Sequence, residues 1–191
     1  MNHKFFLLFI LILLFEGCQI QESNFNNDFN WTIDFPVEYN RVSNTDWLEK
    51  VQQSGELIEK YNNVEFKNQS VPIFIFKSKS DYFESTRTKY EGSRENYINY
   101  LTENFQLQIQ PLKDEIPEIK IDYAVDTISI SNLEFFYQKS TIIYPNGAKR
   151  TLESFNRLFE DNNELSINII YVDKEFGDKF KFALLNSSFE K

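Results

Sequence analysis

The chain has 191 residues, a formal net charge of −9 at pH 7 and an aromatic content of 17%. An acidic chain whose longest basic run is Lys149-Arg150 lacks the electrostatic footprint of a nucleic-acid-binding protein, so no nucleic-acid partner is expected. The 20 Phe and 10 Tyr residues are typical of a packed domain and exclude a wholly disordered chain.

The first 18 residues have the order of a bacterial lipoprotein signal peptide. Lys4 supplies a basic charge, residues 5–15 form an uninterrupted apolar run, and Gly17 precedes Cys18. The apolar run is much shorter than the roughly 20 residues that span a bilayer. We therefore expect removal of residues 1–17 and acylation of Cys18. Because Phe15 and Glu16 depart from the usual lipoprotein box, a secreted protein without lipid is the alternative.

Acylation would hold the protein in the bacterial cell envelope through the lipid on Cys18. We expect attachment to the outer membrane, with the protein facing the periplasm or the cell surface. The acidic domain itself is not expected to adsorb onto anionic lipid, so the acyl chains must supply the attachment.

The chain has a single histidine, His3, and a single cysteine, Cys18. After processing and acylation neither is available for chemistry. This excludes Ser-His-Asp and Cys-His catalysis, His- and Cys-based metal sites and disulfides. Ser85-x-x-x-Lys89 lacks the Ser-x-x-Lys spacing of Ser-Lys acyl enzymes. The sequence therefore predicts no catalytic residues, no metal and no cofactor.

Residues 18–30 are polar and rich in Asn, which predicts a short tether, and residues 31–191 predict a single globular domain. Apolar spacing predicts the first elements of this domain: a strand over 31–35, a helix over 46–61, a buried strand over 71–76, a loop over 77–93 and a helix over 94–108.

Pro111 and Pro117 bracket an acidic connector, and strands are predicted from residue 119 onward. Asn146-Gly147 lies between two strand-like runs and predicts a hairpin. The remaining predicted elements are strands over 128–131, 133–137, 141–144, 149–158 and 165–171 and an amphipathic helix over 174–185. The predicted fold class is α+β, with an antiparallel sheet packed against helices.

The early strand that closes on Phe35-Pro36, the central hairpin meander and the terminal Ser187-Ser188-Phe189 resemble the PsbP/Mog1-like fold, particularly that of bacterial lipoproteins. The resemblance covers about residues 30–190 and implies a final Ser-Phe strand. The Gly or Trp expected after the opening Pro is absent, since Val37 stands there. These domains share no common catalytic site, so the resemblance implies a binding or assembly role and transfers no site residue.

Two acidic segments could supply ligands or catalytic groups. The connector carries Asp114, Glu115, Glu118, Asp122 and Asp126, and the segment 160–164 reads Glu-Asp-Asn-Asn-Glu. Calcium binding or glycoside hydrolysis would need several of these carboxylates to converge. A solvated loop and an ordinary turn are the simpler interpretations. Acids at the start of the last predicted helix suit the helix dipole and need no further role.

Tyr82, Phe83 and Tyr90 in the predicted loop form the candidate surface for a ligand or partner. Aromatic rings on a long loop suit stacking on sugars or docking of a protein. The alternative is that they fill a small core under the loop. Two functions stay open: a lipid-anchored, non-enzymatic binder of an envelope protein or glycan, and a carboxylate-dependent hydrolase of glycans, which would need two convergent acids in a cleft.

Overall fold

A computed structural model of the protein describes residues 23–62, 65 and 67–190, and only the backbone of residues 57, 58, 61 and 62. The predicted signal peptide and Cys18 lie outside the described residues. Ten strands and three α-helices alternate along the described chain: β1 (Ser23–Asn26), β2 (Trp31–Asp34), β3 (Asn40–Arg41), α1 (Asn44–Asn62), β4 (Val71–Ser78), β5 (Asp81–Lys89), α2 (Tyr97–Glu115), β6 (Lys120–Ile130), β7 (Leu133–Ile143), β8 (Lys149–Leu158), β9 (Asn163–Tyr171), α3 (Lys174–Leu185) and β10 (Ser188–Phe189). A 3₁₀ turn, Arg94–Asn96, leads into α2.

The strands form two sheets. The larger has seven strands in the order β3-β4-β5-β9-β8-β7-β6, and the smaller has the order β1-β2-β10. Every strand pair in both sheets is antiparallel. This confirms the predicted α+β class.

Helix α3 and the small sheet cover one face of the large sheet. Trp31 and Ile33 of β2 and Phe176, Phe180 and Leu184 of α3 are almost fully buried in one apolar cluster with the large sheet. Helices α1 and α2 lie over the opposite face and contact each other. The large sheet is therefore the middle layer of three.

Several predicted elements are confirmed. The predicted helix over 174–185 has the bounds of α3, and the helix over 46–61 lies within α1. The Asn146-Gly147 hairpin joins β7 to β8, and Gly147 adopts φ +83°, a conformation that Gly reaches without strain. Ser188–Phe189 forms the terminal strand that the resemblance implied.

The predicted loop over 77–93 is wrong, because most of it is β5. Strands β4 and β5 form a hairpin whose closing pair is Ser78 and Asp81, and β5 also pairs with β9 over its length. The strand escaped prediction because the residues on one of its faces, among them Glu84 and Thr86, are polar. That face does not join the apolar core.

The predicted end of the second helix before Pro111 is also wrong, since α2 continues to Glu115 with Pro111 inside it. A proline in a helix loses one backbone hydrogen bond and strains the preceding turn. Burial of Tyr97, Leu101, Phe105 and Ile109 along one side of α2 stabilises the helix despite this.

The polar segment before residue 31 is folded over its described part. Strand β1 pairs with β2 in the register Ser23 to Asp34, and Asn26 Oδ1 accepts a hydrogen bond from the Phe29 N–H at 3.1 Å. The Asn-rich composition that predicted a tether to residue 30 belongs here to a hairpin turn, a role that Asn side chains also suit.

Candidate ligand-binding cleft

The face of the large sheet that looks toward α1 and α2 is polar. Successive side chains of a strand point to opposite faces, so the neighbours of the buried Phe83, Phe155 and Ile167 face away from the core. The polar side chains on this second face come from four adjacent strands: Glu84, Thr86 and Thr88 of β5, Glu164, Ser166 and Asn168 of β9, Ser154 and Asn156 of β8, and Gln138 of β7.

A row of hydrogen-bonding side chains crosses the sheet at the middle of this face. The strand register aligns Glu84 with Asn168, Asn168 with Ser154, and Ser154 with Gln138. Asn168 Nδ2 donates to Glu84 Oε1 at 3.1 Å, and Ser154 Oγ donates to Asn168 Oδ1. At the far end Gln138 Nε2 donates to Tyr123 Oη at 2.6 Å. The row presents amide, hydroxyl and carboxyl groups side by side.

The two helices roof this polar face without filling the space above it. They leave a cleft of about 900 Å³. Trp47, Lys50, Val51 and Ser54 of α1 form one wall, and Tyr100, Leu101, Asn104, Phe105 and Gln108 of α2 form the other. The cleft combines polar groups on its floor with aromatic and apolar groups on its walls, which is typical of small-molecule sites.

Glu84 anchors one wall of the cleft to the floor. Its Oε2 accepts a hydrogen bond from Trp47 Nε1 at 2.9 Å, and its Oε1 accepts from Asn168. Burial raises the pKa of the Glu84 carboxyl, and the two hydrogen bonds offset this only in part. Both donors are neutral, so neither supplies the full charge that would favour the carboxylate.

Glu164 lies at another point of the same floor and is 5% exposed. Burial raises its pKa to about 7, and the neighbouring Tyr97 hydroxyl holds the value below the one that burial alone would produce. The cleft therefore contains two glutamates that bind a proton more tightly than an exposed glutamate does.

These two carboxyl groups belong to separate points of the floor. In the register of β5 with β9, Glu84 lies opposite Asn168, whereas Glu164 lies opposite Thr88. Four residues along a strand separate the two backbone positions by about 13 Å. Each carboxyl group has its own neighbours, Trp47 and Asn168 for Glu84 and Tyr97 for Glu164.

Cations line one end of the cleft. Lys50, Lys77, Lys79 and Arg150 border it, and Lys50 Nζ lies 5.8 Å from the centre of the Tyr82 ring. Arg150 Nε is buried without a hydrogen-bond partner among the described residues. Because this donor is desolvated and unpaired, a ligand that offers an acceptor there would gain a hydrogen bond.

The three aromatic residues predicted as a ligand surface do not lie together. Phe83 is fully buried in the main core, with its ring 5.0 Å from that of Phe180. Tyr90 is 7% exposed and packs against Tyr97 and Tyr100, which is the small core considered as the alternative. Tyr82 alone borders the cleft. Phe83 and Tyr90 are thus wrong as surface residues, because β5 turns Phe83 to the core and Tyr90 packs against α2.

The acidic segments of the sequence do not form a metal site. Asp114 and Glu115 end α2, while Asp122 and Asp126 lie on β6, and within the described residues no three or more His, Cys, Asp or Glu side chains are grouped to hold a metal ion. Asp161 closes the turn before β9 by accepting hydrogen bonds from Asn163. Asp173 accepts from the Glu175 N–H and caps α3, the structural role expected for it.

The segments predicted as strands contain a pattern that indicates the cleft, although the prediction did not use it. Ser154, Asn156, Ser166 and Asn168 occupy every second position of the segments predicted as strands. Such alternation predicts that one face of the sheet lies outside the apolar core.

No helix of the described residues is long and apolar enough to cross a membrane.

Similarity to known proteins is found in the structure and not in the sequence. No protein-family model matches the sequence, and no curated protein matches it significantly. The structure is similar to the solution structure of the cyanobacterial PsbP protein CyanoP from Synechocystis sp. PCC 6803, with a TM-score of 0.53 and 6% sequence identity, over 91% of this chain and 96% of that one.

A second similar structure is LpqN, a protein involved in cell envelope biogenesis of Mycobacterium tuberculosis. The TM-score is 0.41 at 7% sequence identity, and the match covers 92% of this chain and 88% of that one. At such identities a likeness shows the fold and not the function. The match to CyanoP, together with the sheet order and the Ser-Phe terminal strand, shows that this protein has a PsbP-like α+β fold.

Proposed function

We propose that this protein is a lipid-anchored, non-enzymatic binding protein of the bacterial cell envelope, and that its ligand binds in the cleft between the polar sheet face and helices α1 and α2. The observation that carries the proposal is the row of hydrogen-bonding side chains under a roofed cleft of about 900 Å³. The predicted lipid on Cys18 supplies the location.

The polar face supports binding because it lies outside the main apolar core, which the opposite face forms with α3. The roof packs on the sheet through two smaller apolar clusters, one around Trp47 and Ile75 and one around Tyr97 and Leu158, and Trp47 Nε1 also donates to Glu84 on the floor. Polar groups held partly out of water lose hydration unless they find partners. A ligand that offers donors and acceptors to this floor would restore those hydrogen bonds.

Catalysis finds less support in the same cleft. The only histidine and the only cysteine lie in or next to the predicted signal peptide, and Glu84 and Glu164 are offset by four residues along their strands. The second candidate function, glycan hydrolysis, has in its favour that both carboxyl groups have raised pKa values. Glycan hydrolysis would be established if the protein released reducing sugar and if Glu84→Gln or Glu164→Gln abolished that release.

Site-directed photo-crosslinking tests the cleft as the binding site. A benzophenone amino acid replaces Lys50, which borders the cleft on α1, or Lys113, an exposed residue on α2 that does not border it. In intact cells, we expect an adduct of discrete mass from position 50 and none from position 113. Asn168→Leu should weaken the adduct at position 50. Equal adducts at both positions would contradict a ligand in the cleft.

Fractionation of cells tests the anchor. Wild-type protein should partition into the detergent phase and incorporate labelled palmitate, whereas Cys18→Ser should do neither. A Cys18→Ser protein that stays in the membrane fraction to the same extent as wild type would contradict lipid attachment, without affecting the test of the cleft.

A further inference from the structure

A groove with exposed apolar residues lies on the outer layer of the molecule, on the side opposite the cleft. One wall is the stripe of α3 that carries Lys174, Asp178 and Phe182, and the other is formed by Val37 and its neighbours after β2. Phe182 is 71% exposed, the highest value for a large hydrophobic residue in the described chain, and Val37 is 45% exposed. Leu185, one turn beyond Phe182, is 40% exposed. Exposed apolar residues grouped in this way mark an interaction surface.

The path of the described chain brings the lipid anchor within reach of this groove. Cys18 precedes Ser23 by five residues, which span at most about 18 Å when fully extended. Strand β1 is antiparallel to β2, with Ser23 opposite Asp34. The described chain therefore begins at the end of the small sheet from which β2 continues to Pro36 and Val37. This is the end at which the apolar groove lies.

The charged residues around the groove do not attract an anionic membrane, so membrane contact at the groove depends on the lipid anchor. Lys179 Nζ pairs with Glu38 Oε1 and Glu175 Oε1, each at 2.8 Å, and Lys174 pairs with Asp178. The two lysines thus have acidic partners and leave no basic patch to attract anionic lipid. Val37, Phe182 and Leu185 offer too little apolar area to bind a bilayer alone. A lipid on Cys18 would make their insertion an intramolecular event at high effective concentration.

We propose that the groove around Val37 and Phe182 contacts the membrane surface and orients the domain, with the apolar side chains entering the interfacial region next to the acylated Cys18. The proposal depends on the lipid anchor of the proposed function. Because α3 and helices α1 and α2 lie on opposite faces of the large sheet, this orientation turns the ligand-binding cleft away from the membrane. Ligand would then reach the cleft from the aqueous compartment.

Photo-crosslinking from lipid tests the orientation. The acylated full chain is reconstituted into vesicles of phosphatidylethanolamine and phosphatidylglycerol whose acyl chains carry a diazirine, and the adducts are mapped by mass spectrometry. We expect adducts on the peptides that contain Val37 and Phe182 and none on the peptide that contains Leu48. Leu48 is the matched control, since it is 49% exposed on α1 in the opposite layer.

Phe182→Ser and Val37→Ser should remove most of these adducts, while Leu48→Ser leaves them unchanged. All three side chains are exposed, so the variants are expected to fold. Adducts of equal yield on the Leu48 peptide, or none on any peptide of the vesicle-bound protein, would overturn the proposed orientation.

A second preparation distinguishes a protein that carries no lipid from a protein whose domain has a different orientation on the membrane. If fractionation shows that Cys18 carries no lipid, the chain from Cys18 onward, which retains every described residue, is coupled through the Cys18 thiol to a maleimide phospholipid in the same vesicles. Adducts at Val37 and Phe182 would then support the groove as the membrane-facing surface, and their absence would overturn it.

Discussion

The two faces of the large sheet have the same strands and opposite chemistry. On the face toward α3, aromatic rings such as Phe35, Phe83 and Phe180 pack with centres 5.0–5.9 Å apart and are almost fully buried. On the face toward α1 and α2, hydrogen-bonding side chains line an open cleft. One face forms the main apolar core, and the other carries the open cleft.

Buried glutamates show the difference most clearly. Glu153, on the face toward α3, is 3% exposed, and burial would raise its pKa; hydrogen bonds from Lys181, Tyr137 and Tyr171 outweigh this and lower the pKa. Glu164, in the cleft, has no cationic partner among the described residues, and burial raises its pKa to about 7. A cation in the folded structure decides the direction of the shift.

The largest expected effect comes from the core face. Phe180→Ala should lower the free energy of unfolding by about 3–5 kcal/mol, because a fully buried ring leaves a cavity among Phe35, Phe83 and Phe176. Urea denaturation measures the loss. Phe182→Ala on the same helix is the matched control and should change stability by no more than about 0.5 kcal/mol. Similar losses in both variants would contradict the packing of Phe180 in the main core.

Glu164→Gln should stabilise the protein at high pH. The folded state binds the Glu164 proton more tightly than the unfolded state, so the contribution of Glu164 to stability is fully present below pH 4.5 and is lost as the pH rises through about 7. A shift from 4.5 to about 7 corresponds to about 3 kcal/mol. The variant should exceed the wild type by up to that amount at pH 8 and match it at pH 4.

The matched control for this prediction is Glu160→Gln, which changes an exposed glutamate in the preceding turn. Urea unfolding at the two pH values should show no pH-dependent gain for it. A Glu164→Gln protein that is less stable than the wild type at pH 8 would mean that the carboxylate has a favourable partner in the cleft.

Glu153→Gln should show the opposite pH dependence. The folded state holds the Glu153 carboxylate more strongly than the unfolded state, so its contribution is present above pH 4.5 and is lost as the pH falls below that value. The variant should be about 2 kcal/mol less stable than the wild type at pH 7, because charge-assisted hydrogen bonds from Lys181 and two tyrosines are weakened. At pH 3 the difference should shrink. A constant difference between pH 3 and pH 7 would contradict a charged Glu153.

The smallest expected effect compares the two tryptophans. Trp47 Nε1 donates to Glu84 in the cleft, and Trp31 Nε1 donates to Ser187 Oγ at 2.9 Å beside the core. Substitution by Phe removes each donor. Trp47→Phe should be destabilising by about 1 kcal/mol more once the pH has risen above the raised pKa of Glu84 than at pH 4, because a charged acceptor loses more than a neutral one. Trp31→Phe should lose the same amount across the pH range, as chemical denaturation can determine.

Prediction from sequence succeeded where apolar spacing was regular. Helices α1 and α3 and the hairpin at Gly147 were predicted because their apolar residues or turn residues follow local rules. Strand β5 was missed because half of its side chains face the cleft and are polar. Strand β1 was missed because its four residues alternate Asn with Ser and Phe and depend on pairing with β2.

The candidate site was predicted far less well than the fold. Of Tyr82, Phe83 and Tyr90, only Tyr82 borders the cleft, since Phe83 faces the core and Tyr90 packs against α2. The residues at the centre, Glu84 and Asn168, are 84 positions apart in the chain. No local spacing could bring them together.

The sequence by itself determined the three helices and most of the strands, the α+β class and the absence of histidine beyond His3, because these follow from composition and local periodicity. It also carries the predicted acylation of Cys18, which cell fractionation will test. Only the tertiary structure decided which side of each strand faces the core, because that depends on which neighbours a strand pairs with. The order β5-β9-β8-β7 aligns Glu84, Asn168, Ser154 and Gln138 into one row, and the layer above it leaves that row open to a ligand.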